Sequence, residues 1–432
     1  MYRNFFNGVS FCLTLTVLLA GCSRPEDAAT GALLPSPVVA RLDEDRYLGE
    51  PVHVENLTAW PVVAEKYLEV GKFLTLDEAQ ERKLAVVREM GSGQQSTLRQ
   101  STRPSTRSTR QSTRRPTVQT SQQITEPLEF VPIEELADPS SSTIQEIAFN
   151  LGAAATVNQV VIENKSDLPI LVCAGTIIEG GKQDRQIGQD IVLGPGSSVP
   201  VDAFCVEKGR WTGVRMGQQT YGMFSSKSVL APKEVRYTAQ YGKDQSAVWN
   251  AVSVENARAD KSPATHTLLD TINETDEEKV ALRERVAKKI EEHFQALRHR
   301  GAATVGFAYA INGKPMGVRV FAHPQLLESQ LKIFAKTLAL ETDLAQRKAP
   351  KVPVPQASAD DIIRMVNAVN EEEEKVSKTS AANFNGVRQG AAGGNATCYA
   401  EIFLPSQSAE AQTERTKRRV AITQDWTAPE RK

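Results

Sequence analysis

Apolar positions recur along this chain with two periods, and their order sketches the fold. In "EPVHVENLTAWPVV", Glu50 to Val63, alternation with period two predicts a pair of strands. "FLTLDEAQERKLAVVREM", Phe73 to Met90, then predicts a helix with Thr75 as N-cap and Glu78 three residues on, followed by a strand over Ala85 to Arg88. "TVNQVVIENKSDLPILVCAGTIIEGG", Thr156 to Gly181, reads as a hairpin turning at Asn164 to Asp167. In "DRQIGQDIVLGPGSSVPVDAFCVEKGRW", Asp184 to Trp211, two strands flank a turn at Gly194 to Ser198. "QSAVWNAV" begins a helix at Gln245. The segment Thr275 to Gly301 is an amphipathic helix with the stripe Val286, Ile290, Phe294 and Leu297, a capping box of Thr275 and Glu278, and Gly301 as its stop. Thr304 to Phe321 is a hairpin turning at Asn312-Gly313, and the chain returns to helix from Pro324. A polar helix around Asp360 to Glu374 and a last strand over "ATCYAEIFL", Ala396 to Leu404, close the pattern. Strands and helices mix without regular alternation, so the fold class is α+β, with mainly antiparallel sheets, hairpins and several amphipathic helices.

One stretch breaks the periodicity. From Ser92 to Gln123 a Ser-Thr-Arg repeat carries six Arg and no acid, too little apolar surface to offset ordering entropy, and is expected to be disordered. The formal charge of the whole chain is −1, so the remainder is acidic and attracts this basic arm. At the N-terminus, an apolar run from Val9 to Ala20 ends in Leu19-Ala20-Gly21-Cys22, which looks like the lipobox of bacterial lipoproteins. Residues 1–21 are therefore expected to be a signal peptide, with Cys22 acylated and inserted in a lipid bilayer. Ser23 in place of an Asp after the anchor points to the periplasmic face of the outer membrane where the cell has one. The expected organisation is a tether over 22–50, the first part of an α+β domain over 51–90, a low-complexity insertion over 91–155, the main body over 156–345, a connector with helix and closing strand over 346–403, and a mobile charged tail over 404–432. Three cysteines remain for the mature chain, Cys173, Cys205 and Cys398, enough for one disulfide whose pairing the sequence leaves open beside plain burial of the thiols.

The elements "LTLDEAQ", "VVIENKSDLPILVCAGTIIEGGKQDRQ" and "FCVEKGRW" resemble the ARG and rhodanese-phosphatase-superfamily-associated protein domain family, over Pro51 to about Phe403. The resemblance implies that the first strand-helix-strand leads almost directly into the hairpin after it, so that Gly91 to about Ala155 is an insertion. It also implies that Gln245 and Trp249, one helical turn apart, lie near the glutamine-arginine and arginine-tryptophan motifs. No activity comes with the family.

The candidate site follows the double glycine Gly180-Gly181. With the turn centred on Gly196, antiparallel pairing puts Arg185 opposite Glu207 and Asp184 opposite Lys208, two ionic cross-strand pairs that staple the open end of a hairpin. Gln183, Arg210 and Trp211 are left over, with Glu179 just before the bend. An Arg beside a Trp, with amide and carboxylate groups close by, suits a polar or sugar-like ligand. The candidate binding residues are Glu179, Gln183, Asp184, Arg185, Glu207, Arg210, Trp211, Gln245 and Trp249, with guanidinium and indole sharing a solvent-facing lip. Other chemistry finds no motif. His53, His266, His293, His299 and His323 are scattered without ligand spacing, and there is no CxxC, P-loop, dinucleotide fingerprint or GxSxG, so no metal, cofactor or catalytic residue is assigned.

These features predict a membrane-anchored, extracytoplasmic protein that binds a polar small molecule or an anionic envelope polymer, with no nucleic acid as partner. A hydrolase of sugar-, nucleotide- or peptide-like envelope material, drawing on Glu179, Asp184 and Glu207, is the alternative of a different class. Cationic partners for two of those carboxylates disfavour a general acid there. A scaffold that contacts partners through the basic arm is the third reading.

Overall fold

The computed structural model describes residues 38–90, 158–347, 356–367, 374–378, 384–392, 395–403 and 419–427. The proposed anchor Cys22 and the Ser-Thr-Arg repeat lie outside them. Before the repeat come strands β1 (Val38–Arg41), β2 (Arg46–Gly49), β3 (Val52–Val54), β4 (Leu57–Ala64) and β5 (Leu74–Thr75), helix α1 (Leu76–Glu81) and strand β6 (Ala85–Glu89). After it come β7 (Gln159–Asn164), β8 (Ile170–Val172), β9 (Thr176–Gly180), β10 (Arg185–Ile187), β11 (Ile191–Leu193), β12 (Ser198–Cys205), β13 (Val214–Arg215), β14 (Gln218–Gln219) and β15 (Met223–Leu230). Four α-helices follow, α2 (Lys233–Tyr237), which runs on into a π-helical turn over Thr238–Gly242, α3 (Gln245–Arg258), α4 (Leu269–Ile272) and α5 (Glu277–His299), then β16 (Thr304–Ile311), β17 (Lys314–Phe321), α6 (Pro324–Gln346) and α7 (Ala359–Asn367). Strands β18 (Glu374–Lys378), β19 (Phe384–Ala392), β20 (Asn395–Phe403) and β21 (Arg419–Thr427) complete the order. The fold is α+β, and among the described residues no helix is long and apolar enough to cross a membrane.

Two sheets carry the architecture. A large antiparallel sheet runs β1-β2-β4-β16-β17-β21-β20-β19-β18, with β3 also paired to β4. Its hairpin β16–β17 turns at Asn312 and Gly313, both at positive φ (50° and 70°), as a two-residue turn between right-twisted strands requires. Helices α5 and α6 cover one face through Val286, Ile290, Phe294, Phe334 and Leu338, whereas α7 sets Ile362 against Trp60, Val62 and Val318 on the other. Six strands, β10-β12-β7-β6-β15-β9, close a small barrel filled by Val87, Ile162, Ile178, Ile187, Val201 and Phe224. Strands β6 and β7, on either side of the repeat in sequence, are antiparallel neighbours from Ala85↔Asn164 to Glu89↔Val160. The chain thus leaves and re-enters the barrel at adjacent positions.

Several expectations are met, among them the Thr75 cap, whose hydroxyl accepts from the Glu78 N–H, and the buried stripe of α5. Others are corrected. The cap of α5 is Asp276, which accepts from the N–H groups of Glu278 and Lys279; one position after Thr275, its carboxylate also complements the helix dipole. Asn164 to Asp167 does not join a hairpin, because β7 pairs with β6 and β12 while β8 pairs with β11 and β5. The Asn164 amide makes the crossover by donating to the carbonyls of Leu168, Leu193 and Gly194. Likewise β11 pairs with β8 and not with β12. Residues from about 404 are not all a tail: β21 lies between β17 and β20, with Val420 and Ala421 buried in the α5–α6 core. Asp425 on this strand accepts from the Tyr241 hydroxyl at 3.0 Å and lies 3.8 Å from Arg236, which also pairs with Glu341. These charges line a cavity of about 20 Å³, room for one water. Cys173, just after β8, and Cys205, the end of β12, are buried thiols outside any disulfide, and burial pushes them up to about 12 and about 11.

Candidate functional site

The bend at the end of β9 depends on its glycines. Gly180 and Gly181 have φ of 134° and 48°; a Cβ on the first would lie 2.3 Å from the Met223 carbonyl oxygen, and one on the second 2.3 Å from the Phe224 ring. The chain can therefore pass directly over β15 and deliver Lys182 to Arg185 to the end of the barrel.

There the register differs from expectation by two residues. Arg185 lies opposite Cys205, with Gln186 opposite Phe204, because the strand pairing ends where β11 departs to another sheet. Arg185 pairs with Glu89 at 3.2 Å and not with Glu207, donates to the Gln159 carbonyl at 3.0 Å, and stacks over the Phe224 ring. Asp184 meets two guanidinium groups, not Lys208. Its Oδ1 accepts from the Gly180 N–H at 3.0 Å and from Arg215 Nε at 3.2 Å, with Arg210 Nη2 at 3.4 Å; its Oδ2 accepts from the Thr267 hydroxyl at 3.1 Å. Glu207 accepts the Asp184 N–H at 2.9 Å and Arg210 Nε at 3.0 Å. The remaining Arg210 donors reach the carbonyls of Gly180, Gly181 and Thr212 at 2.8 to 3.0 Å.

These groups form a sealed ionic hub. Asp184 and Arg185 are wholly buried, and Gln183, Glu207 and Arg210 are nearly so. Burial, and next the negative charge of Glu207, push the Asp184 carboxyl above its ordinary range, against the pull of Arg215, the Gly180 N–H and Arg210. Every oxygen of Asp184 and Glu207 already accepts a hydrogen bond. Gln183 donates to the Glu207 carbonyl at 2.7 Å, and Gln245 exchanges two 2.8 Å bonds with the backbone of Cys205, locking α3 to the end of β12. Trp249 lies one turn on, with Lys208 over its ring. No His, Cys, Asp or Glu cluster among the described residues could hold a metal ion.

Arg210 and Trp211 therefore do not share a lip. Adjacent side chains diverge here: the guanidinium turns into the hub, and the indole turns out, 47 % exposed, with the Lys182 ammonium 5.6 Å from its ring. Trp211 opens a segment whose neighbours Val214 and Met216 are exposed too, Met216 by 87 %. These three account for half of the exposed large apolar side chains among the described residues, gathered within six positions. Glu179, at the edge, is paired with Arg215 and Lys227. Sequence reasoning missed Glu89, Arg215, Thr267 and Lys182. Glu89 and Thr267 are far from the motif along the chain, and only the turn residues Met216-Gly217 marked the hairpin that carries Arg215.

The sequence profile described as the ARG and rhodanese-phosphatase-superfamily-associated protein domain matches residues 117–401, about two thirds of the chain. The match begins between β6 and β7, so β1 to β6 fall outside it although β4 and β6 are interior strands of the large sheet and the barrel. No curated protein and no solved structure matches the chain.

Proposed function

The chain belongs to the ARG and rhodanese-phosphatase-superfamily-associated protein domain family, and since that membership carries no reaction with it, we propose from the site itself that this is a membrane-anchored extracytoplasmic binding protein. Its ligand is a polar, anionic envelope component, received on the outer face of the hub by Trp211 and Lys182, with Lys208 in the same loop. The observation that carries this reading is the concentration of exposed apolar side chains, Trp211, Val214 and Met216, beside an ammonium group. Indole and thioether surface left in water next to cations is characteristic of recognition faces, and the rigid hub beneath holds them in place.

The hydrolase reading finds less support, because Asp184 and Glu207 are buried inside the hub and bonded to its donors, out of reach of a substrate on the exposed face. Anchoring is tested by palmitate labelling of cells producing the full-length protein, where Cys22→Ala abolishes the label. Binding is tested by retention of the full-length protein on isolated envelope polysaccharide. Loss of retention in Trp211→Ala and Lys182→Ala, with unchanged melting, supports the reading; retention equal to wild type refutes it.

A further inference from the structure

The hairpin β13–β14 is a small element with an unusual load. It has two residue pairs, Val214↔Gln219 and Arg215↔Gln218, and its turn residues Met216 and Gly217 stand at positive φ. An isolated hairpin of this size does not hold together in water. Its base is fixed by the Thr220 hydroxyl, which donates to the Gly181 and Gly213 carbonyls, and by Arg210 on the Thr212 carbonyl. Its outer half, by contrast, is anchored inward through Arg215, which gives Nε and Nη2 to Asp184 and Nη1 to Glu179. Neither carboxylate depends wholly on that arginine. Asp184 retains the Gly180 N–H, Thr267 and Arg210, and Glu179 retains Lys227.

We propose that Arg215 is the acid-gripping residue of the recognition face: a carboxylate or phosphate on the ligand takes its guanidinium in exchange for Asp184 and Glu179, and the hairpin shifts so that Val214 and Met216 pack on the ligand. This rests on the binding face proposed above and adds to it the residue that selects an acidic ligand. A planar guanidinium fork suits either oxyanion, and Asp184 and Glu179 now occupy the positions such oxygens would take. The exchange is favoured by protonation of Asp184, whose carboxyl burial and Glu207 push above its ordinary range. The groups facing Asp184 are the Gly180 N–H from β9, Glu207 and Arg210 from the segment after β12, Arg215 from β13, and Thr267 from the approach to α4. A proton on Asp184 removes a charge that holds Arg215 and relieves the repulsion with Glu207, so the hairpin loosens while the hub stays intact.

The test uses the full-length protein in detergent, titrated with glucuronic acid, glucose 6-phosphate and, as the neutral control, glucose. Binding is read by calorimetry, and hydrogen exchange is followed over residues 212–222. One or both acidic probes bind to the wild type and glucose does not, and the probe that binds identifies carboxylate or phosphate as the group recognised. Arg215→Gln weakens that binding by about tenfold or more, speeds exchange of 212–222 without the probe, and lowers melting less than Arg210→Ala does, because Asp184 keeps Arg210, Thr267 and the Gly180 N–H; Arg215→Lys rescues only in part. Wild-type affinity rises as pH is lowered within the range where the protein stays folded, the direction set by the raised Asp184 carboxyl. Equal affinity of Arg215→Gln and wild type overturns the proposal, as does failure of both acidic probes while Trp211-dependent retention on polysaccharide persists; in either case the binding face itself stands. Loss of that retention requirement for Trp211 would remove the face as well.

Discussion

Replacing Arg210 by Ala should damage the protein's stability far more than any change on the exposed face beside it. The guanidinium is 7 % exposed and supplies donors to both Glu207 oxygens, to Asp184 and to three main-chain carbonyls. Without it, Glu207 loses the cation at 2.8 Å and Asp184 keeps Arg215 as its cationic partner among the described contacts. Breaking a buried pair from one side costs about 3–5 kcal/mol. The stranded carbonyls would add about 1 kcal/mol each in a dry site, but the vacated volume admits water and returns part of this. We therefore expect a loss of about 4 kcal/mol. Urea unfolding followed by near-ultraviolet circular dichroism measures it, with Trp211→Ala as the control, expected within about 0.5 kcal/mol of wild type. If Arg210→Ala loses less than about 1 kcal/mol, or if Trp211→Ala loses as much as Arg210→Ala, the division into buried hub and exposed face is wrong.

Acid should act elsewhere first. Although burial pushes the Glu274 carboxyl up, hydrogen bonds from Lys261 and Arg347 and from the N–H groups of Asp276 and Thr275 hold it well below the usual carboxylate range. Its stabilisation is complete above about pH 4.5 and is lost as pH falls below that, so Glu274→Gln should flatten melting temperature against pH between about 2.5 and 4.5; an unchanged slope would contradict this. Ending the chain after Ser406 removes β21, bares the edges of β17 and β20 and takes Asp425 from Arg236 and Tyr241, so the truncated protein should be aggregated by size exclusion, whereas a soluble, cooperatively melting product would show that β21 is dispensable. Deleting 92–123 halves the connection between two paired strands and should change stability by about +0.6 kcal/mol through loop closure alone; a loss above about 1 kcal/mol would mean that the arm packs on the body.

Local signals carried much of the fold. Period, caps and turn residues located α1, α3, α5, α6 and the β16–β17 hairpin, since each is governed by neighbours along the chain. Pairing between distant segments was not legible. Asn164 draws β7 and β8 into different sheets, and the break after Ile187 sends β11 away from β12; both are decided by partners that periodicity does not reveal. Of the candidate residues, Asp184, Glu207 and Arg210 come together beside the double glycine, whereas Arg185 pairs with Glu89 and Trp211 turns outward. Their roles split because Arg210, able to satisfy two carboxylates and three carbonyls, gains more from turning inward, whereas no described donor or acceptor draws the Trp211 ring in. Residues 404–432 looked like tail because charge surrounds the short apolar run of β21.

The most direct test of a sealed hub displaying a recognition face is acrylamide quenching of Trp211 fluorescence in the full-length protein, taken as the difference between wild type and Trp211→Phe, with and without isolated envelope polysaccharide. The exposed indole should be readily quenched alone and should become protected, saturably, as polysaccharide is added. Quenching of Trp211 that stays the same across the titration would contradict the account.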